Sequence, residues 1–473
     1  AEMKKRVKEA IEQKIFESNE KPLWEERLRG LERAHIKTIH SFCAGILREN
    51  PVEAVIDPAF AILDSYEASE ILEQIVHQVV MEGLGRRDPV VEKLIYDYGF
   101  SGYNQVSGLK ELLKRLYQEI YSEGLSWDRI DQIRGNNNLR AEKLLSSKMY
   151  SLEENVEKLT ILMQQGAVKK SAKSFAYIEE LIKNYLSITD APGEELIERG
   201  GALLVLENHI KGNWPAAVRQ LKKNLEEIFV KMKEACYQLL GSEYLDGFQL
   251  MLKKVDEYYQ AWKLQHGVLD FDDLQIKTRD ILKSNRKIRK EFKKRFKIIM
   301  LDEFQDTNGM QKEIVYYLSE DLSDESLLSE KDSYRDVVSL HPKKLYVVGD
   351  PKQSIYRFRG ADVTVFLEMQ TELEKEGASG KNISISENFR SHRGIVEFSN
   401  CFFSSIMSGG EEMYDVNFDH DDHQECQRES EDEEPRVELI KIKRGEGSEQ
   451  KRKIEASALS RRILEIVQPE STV

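Results

Sequence analysis

Residues 297–308 read "KIIMLDEFQDTN", an apolar run that passes without a break into three carboxylates and two amides. The apolar part has the length and character of a buried strand, and the polar part begins where such a strand would end. In an open α/β sheet, ligands gather beyond the carboxyl ends of the strands, so Asp302 and Glu303 are expected side by side at a ligand-facing edge. Adjacent carboxylates there suit nucleotide hydrolysis: Asp302 to hold Mg²⁺, directly or through water, and Glu303 to orient and deprotonate the attacking water. Read alone, the segment is also an acidic turn that follows a strand and caps the next helix.

Two further stretches repeat the pattern. "LYVVGDPKQSIYRFRGADVTVF", from residue 345, leaves an apolar run through Gly349, Asp350 and Pro351. Gln353 then offers an uncharged donor and acceptor suited to sensing a γ-phosphate or the hydrolytic water. The loop next alternates aromatic and basic side chains, Tyr356, Arg357, Phe358 and Arg359. That mixture stacks bases and pairs phosphates of a single strand, although two aromatics at that spacing also fit a strand's core face. "ISISENFRSHRG", from residue 383, follows a third apolar run, "NISIS", and places Arg390 where it could stabilise charge in phosphoryl transfer.

Working outward, 473 residues exceed one compact core, so two or three domains are expected. From about residue 66 to 265 the chain has almost continuous helical periodicity, whereas from about 296 short apolar strands alternate with helical patterns, as in a parallel α/β sheet. No apolar run reaches the roughly 20 residues of a membrane helix, and the start, "AEMKKRVKEA", is not a signal peptide. A cytoplasmic protein without membrane association is the expectation. Cys43, Cys236, Cys401 and Cys426 are scattered and give neither a zinc spacing nor a disulfide framework. The net charge of −14 is local: residues 411–434 hold twelve acids and one arginine, or −11, which leaves about −3 elsewhere. A solvated acidic loop is the reading for that run, with DNA mimicry or a regulatory contact as the other.

Taken together and in order, these stretches resemble the UvrD/Rep family of superfamily 1 DNA helicases, and within it the AddA/RecB-like branch. "LDEFQDTN" resembles helicase motif II, "VGDPKQSIYRFRGAD" motif III and "ENFRS" motif IV. "KTIHSFCAGILREN" from Lys37 and "LDFDDL" from Leu269 resemble two further family segments, and "PVEAVIDPAFAILD" is closer to the AddA/RecB-like chains. The resemblance implies an α/β fold with a RecA-like P-loop NTPase motor core, a large all-helical insertion and the start of a second RecA-like domain. On that basis residues 1–65 and 266–375 belong to the first motor domain, 66–265 to the insertion and 376–473 to the second domain. It implies ATP and Mg²⁺, with Asp302 on the metal, Glu303 as base, and Gln353 and Arg390 at the γ-phosphate. DNA contacts fall to His40, Tyr356, Phe358 and Arg359, and His40 alone reads equally as a packing or capping residue. Asp272 and Asp273 of "LDFDDL" are given no chemistry.

The implied activity is that of an ATP-dependent 3′→5′ helicase acting on single-stranded and duplex DNA in repair or recombination. A helicase subunit of an AddAB or RecBCD-type helicase-nuclease, paired with an AddB- or RecC-like subunit, is the alternative within enzymes. A non-catalytic DNA-binding or assembly module is the alternative outside them. The phosphate-binding pattern Gly-x-x-x-x-Gly-Lys-Ser/Thr is absent, and "GASGKN" at residue 377 has the wrong spacing. "AEMKKRV" resembles the end of motif Ia and "EASALSRRILEIV" an early helix of a second motor domain. The expectation is therefore an internal fragment, inactive as an ATPase by itself.

Overall fold

The computed structural model describes residues 2–31, 34–102, 107–169, 173–189, 196–210, 213–321, 340–341, 343–357, 360–374, 380–408, 415–428, 437–441 and 448–467. The chain divides into two compact units, residues 1–295 with 309–318, and residues 296–308 with 319–473. None of the described helices is long and apolar enough to cross a membrane.

The first unit is helical, organised by one 48-residue helix, Arg219–His266, about 70 Å long at 1.5 Å per residue. Its amino-terminal half puts Leu225, Phe229 and Met232 into one apolar cluster with Leu145, Leu152 and Trp214. Its carboxyl-terminal half puts Met251, Val255 and Tyr259 into a second, with Val76, Val80, Leu113 and Tyr117. Other helices dock on each half, the 38-residue Trp127–Gln164 among them, because apolar side chains recur along the long one. Polar caps start the partners: Asp64 and Glu67 form a capping box before Ser65–Gly85, and Ser126 accepts from the Arg129 N–H before Trp127–Gln164. The long helix ends at Gly267, whose φ of +62° is the left-handed conformation that closes helices.

Gly267 leads straight into β2 (Val268–Leu269), which pairs in parallel with β1 (Ala61–Ile62). The chain thus leaves toward the helical run and returns from it at one place. Beside that return lies a buried polar network. Lys263 Nζ is 3.0 Å from Asp270 Oδ2 and 2.6 Å from Asp273 Oδ2, and it lies over the ring of Tyr259. Tyr121 donates its hydroxyl to Asp273 Oδ1, while Tyr117 and the Trp127 indole N–H donate to Asp256. Burial, then the neighbouring Asp270 charge, raises the Asp273 carboxyl above its ordinary value. The "LDFDDL" acids accordingly pin the helix Phe271–Ser284 to the long helix: Asp270 and Asp273 cap its start and ion-pair with Lys263.

The second unit holds β3 (Ile299–Leu301) and β4 (Leu345–Val347), paired in parallel with Ile299 opposite Leu345 and Leu301 opposite Val347. The expected buried strand is not buried on both faces: Met300 is 72% exposed and Tyr346 54%. The reason lies in the pairing, because among the described residues this sheet has two strands, and one face of the pair carries Met300 and Tyr346 uncovered. The third apolar run also differs. "NISIS" is not a strand, Ile383 and Ile385 are exposed, and the ladder begins two residues later at β5 (Glu387–Asn388), parallel to β6 (Glu425–Cys426).

The described part of the acidic run lies at the surface, with Asp419, Asp421 and Glu425 exposed. Residues 415–428 are ordered by contacts, with a capping box between Asp419 and Asp422, β6 on β5, and an ion pair from Asp422 Oδ1 to Lys352 Nζ at 2.9 Å. The rest of 411–434 lies outside the described residues.

Candidate nucleotide and DNA site

The site begins where β3 ends. The ladder continues one step past the named strands, with the Val348 N–H donating to Leu301 C=O at 2.8 Å and the Phe304 N–H to Val348 C=O at 3.1 Å. Between those two bonds the chain must turn, and Glu303 does so at φ +53°, a left-handed conformation costly for a residue with a Cβ. The Glu303 N–H donates to Asp302 Oδ1 at 3.1 Å. Both carboxylates are exposed at the strand end, where the sequence places them.

Gln305 joins this turn to the loop after β4. The residue is 2% exposed. Nε2 donates to Glu303 Oε2 at 2.8 Å, and Oε1 accepts the Asp350 N–H at 3.1 Å. The Ser354 hydroxyl donates to the Gln305 carbonyl at 3.2 Å. Asp350 in turn accepts from Gln353 Nε2 at 2.9 Å and, through its other oxygen, from Lys352 Nζ at 3.0 Å. A continuous relay therefore runs Glu303, Gln305, Asp350, Gln353. Close approach of the two loops requires glycine at 349, where an added Cβ would lie 2.6 Å from Gln305 Oε1 and 2.9 Å from the Phe366 ring. Gly349→Ala should destabilise the second unit by about 1–3 kcal/mol, as overpacking does; an unchanged urea midpoint would show that the backbone gives way.

The other candidates fall outside this relay. Arg390 is exposed, on a turn that Asn388 Oδ1 forms by accepting the Arg390 and Ser391 N–H groups at 3.0 and 2.8 Å. Tyr356 is half-buried, and its carbonyl accepts the Ala361 N–H at 3.3 Å where Gly360, at φ +84°, turns the loop. Phe358 and Arg359 lie outside the described residues. His40 belongs to the first unit, just past the Thr38 N-cap of the helix Ile39–Glu49. Its Nε2 lies 3.0 Å from the Gln275 amide nitrogen and its ring meets Phe271 edge-on. Burial lowers its pKa, so the neutral ring accepts that amide bond at neutral pH. The "TIHSF" and "LDFDDL" segments are thus packing partners.

Reading the sequence missed Gln305 and Lys352. Gln305 stands inside a quoted motif, but its burial and its two-sided bonding arise from the second strand, which no local pattern carries. Among the described residues no group of three or more His, Cys, Asp or Glu side chains is placed to hold a metal ion. One strand-end carboxylate, Asp302, nevertheless fits Mg²⁺ held with a nucleotide, since that ion takes one or two carboxylates and completes its shell with phosphate oxygens and water.

Residues 1–374 match the family described as "UvrD/REP helicase N-terminal domain". Curated relatives whose names make them subunits of an "ATP-dependent helicase/nuclease" align over most of the chain. The Geobacillus kaustophilus protein is 26% identical over 98% of this chain and 39% of its own length. The Pediococcus pentosaceus protein is 24% identical over 89% of the chain and 35% of its own. For Syntrophomonas wolfei the figures are 27%, 88% and 34%. The chain therefore spans about a third to two-fifths of the length of these relatives.

Proposed function

This chain belongs to the UvrD/REP helicase family, and on that premise we propose that it carries the water-activating and strand-contacting surfaces of an ATP-dependent 3′→5′ DNA helicase of the AddA type. A RecA-like fold follows from the family. Within it we assign residues 1–65 and 266–375 to the first motor domain, 66–265 to a helical insertion and 376–473 to the start of a second motor domain. The observation that carries the reading is the relay from Glu303 through Gln305 and Asp350 to Gln353, at the carboxyl ends of two parallel strands.

In this reading Asp302 holds Mg²⁺, which when bound neutralises phosphate charge. Glu303 takes the proton of the water that attacks the γ-phosphate of ATP. Gln353, oriented by Asp350, turns its remaining amide capacity toward that phosphate or water, and exposed Arg390 supplies positive charge to the transferring group. Tyr356, Phe358 and Arg359 stack and pair the single strand, and His40, anchored by Gln275 and Phe271, adds a DNA contact in the first unit. Tyr356→Ala should weaken single-stranded DNA binding by about 1–3 kcal/mol, alike for unrelated sequences; unchanged fluorescence anisotropy titrations would return Tyr356 to the core.

The names of the relatives favour the form in which the motor is one part of a helicase-nuclease, and with it we propose an AddB- or RecC-like partner, a cytoplasmic location and a role in repair or recombination. The test is ATP hydrolysis and unwinding by the complete gene product on duplexes tailed at either end. DNA-stimulated turnover and unwinding from a 3′ tail are expected. Strand binding without hydrolysis would leave a non-catalytic DNA-binding module, and unwinding from a 5′ tail alone would overturn the polarity.

A further inference from the structure

We propose that Gln305 is a positioning residue that aims the Glu303 carboxylate. The inference rests on the reading of Glu303 as the base, and adds to it the group that holds the base in place. Three observations carry it. Gln305 is buried and bonded at both ends of its amide, to Glu303 Oε2 at 2.8 Å and to the Asp350 N–H at 3.1 Å. Its orientation is fixed by those bonds together: turned over, the amide would set an oxygen against a carboxylate oxygen and an NH₂ against an N–H. Among the described residues, Gln305 is also the one side chain hydrogen-bonded to the Glu303 carboxylate, which is otherwise exposed.

An exposed glutamate without that bond would spread over several rotamers. A base must stand within hydrogen-bond reach of its water, and misplacement by about 1 Å costs on the order of 10²-fold in rate. Gln305 therefore acts without touching substrate. It also links the base to the strand-contacting loop, because the Asp350 N–H it accepts opens the turn that leads to Gln353 and Tyr356.

A purely architectural role, in which Gln305 only ties two loops together, predicts something different. Gln305→Glu keeps the size of the side chain and an oxygen for the Asp350 N–H, but loses the donor toward Glu303. If architecture alone matters, folded Gln305→Glu keeps the wild-type kcat, and the second carboxylate beside Glu303 shows only as a lowered Tm. Gln305→Met adds no charge and loses both bonds, so where the carboxylate prevents folding its Tm reads the lost tie to Asp350, and a kcat lowered at unchanged analogue affinity reads the lost aim of Glu303.

Each variant of the complete gene product would be measured for DNA-stimulated kcat and KM, for affinity toward a fluorescent non-hydrolysable ATP analogue with Mg²⁺, and for Tm. The expected result is a kcat lowered about 10- to 100-fold, with KM and analogue affinity within about twofold of wild type. A wild-type kcat in Gln305→Glu, or a loss confined to KM and analogue binding, would overturn the proposal. Glu303→Gln measured alongside separates the two failures. If it is inactive while the Gln305 variants turn over normally, only the positioning role falls. Turnover by Glu303→Gln itself would remove the base, and the inference with it.

Discussion

Glu303→Gln in the complete gene product should bind Mg²⁺-nucleotide nearly as wild type does and hydrolyse it about 10²- to 10⁴-fold more slowly, the usual contribution of a general base. The substitution keeps the shape of the side chain and an oxygen able to accept from Gln305 Nε2, so the turn at φ +53° and its bond to Gln305 are preserved. What disappears is the capacity to accept a proton from water. Asp302→Ala should act on a different quantity, since removing the strand-end carboxylate weakens the Mg²⁺-nucleotide complex and raises the Mg²⁺ concentration needed for half-maximal rate. Single-turnover hydrolysis and titration with a fluorescent analogue separate binding from chemistry. Near wild-type turnover in Glu303→Gln would assign the base elsewhere.

Lys263→Met should cost the first unit about 3–5 kcal/mol, the usual penalty for removing one partner of a buried ion pair. Lys263 is 2% exposed, and Asp273, whose Oδ2 lies 2.6 Å from its ammonium, is 0% exposed. Without the lysine, Asp270 and Asp273 face each other with no cation. The loss should also depend on pH in a definite sense. Burial, then Asp270 and Asp273, already push the half-buried Asp272 up to about 7, and Asp273 is raised as well. A carboxyl raised in the folded state binds its proton more tightly than in the unfolded chain. Its contribution to stability is therefore greatest below the ordinary carboxylate value and falls as pH rises toward about 7. Lys263→Met should intensify this, so its destabilisation, read from urea unfolding, should shrink between about pH 8 and about pH 5. A penalty that is the same at both would mean that packing of the lysine stem, and not charge, is what was lost.

Much of this protein is legible in short windows of sequence. A strand-end pair of carboxylates, a glycine exit followed by aspartate and glutamine, and alternating aromatic and basic residues each follow from local chemistry. Local periodicity likewise marks residues 66–265 as helical, because amphipathic spacing along one helix requires no knowledge of its partners. Local signals failed where the partner was remote. "NISIS" has the composition of a strand, yet ladder pairing falls on Glu387 and Asn388, because β6 and the Asn388–Gln424 bond, 36 residues apart, set the register. Nor does any local signal in the acidic run show that Asp422 meets Lys352, 70 residues away.

The sequence by itself determined which side chains could do chemistry and the family to which the motifs belong. Residue type, order and spacing are one-dimensional quantities, and motif resemblance uses nothing else. Only the tertiary structure decided how those side chains are held. Gln305 became the link between Glu303 and Asp350 because β3 and β4 run parallel in register, with Leu301 opposite Val347, which brings two loops 45 residues apart within one amide's reach. Asp270 and Asp273 became the counter-charges of Lys263 because Gly267 ends the long helix and turns the chain back beside it. Burial and hydrogen-bond partnership are pairwise properties of distant segments, and folding alone fixes which segments meet.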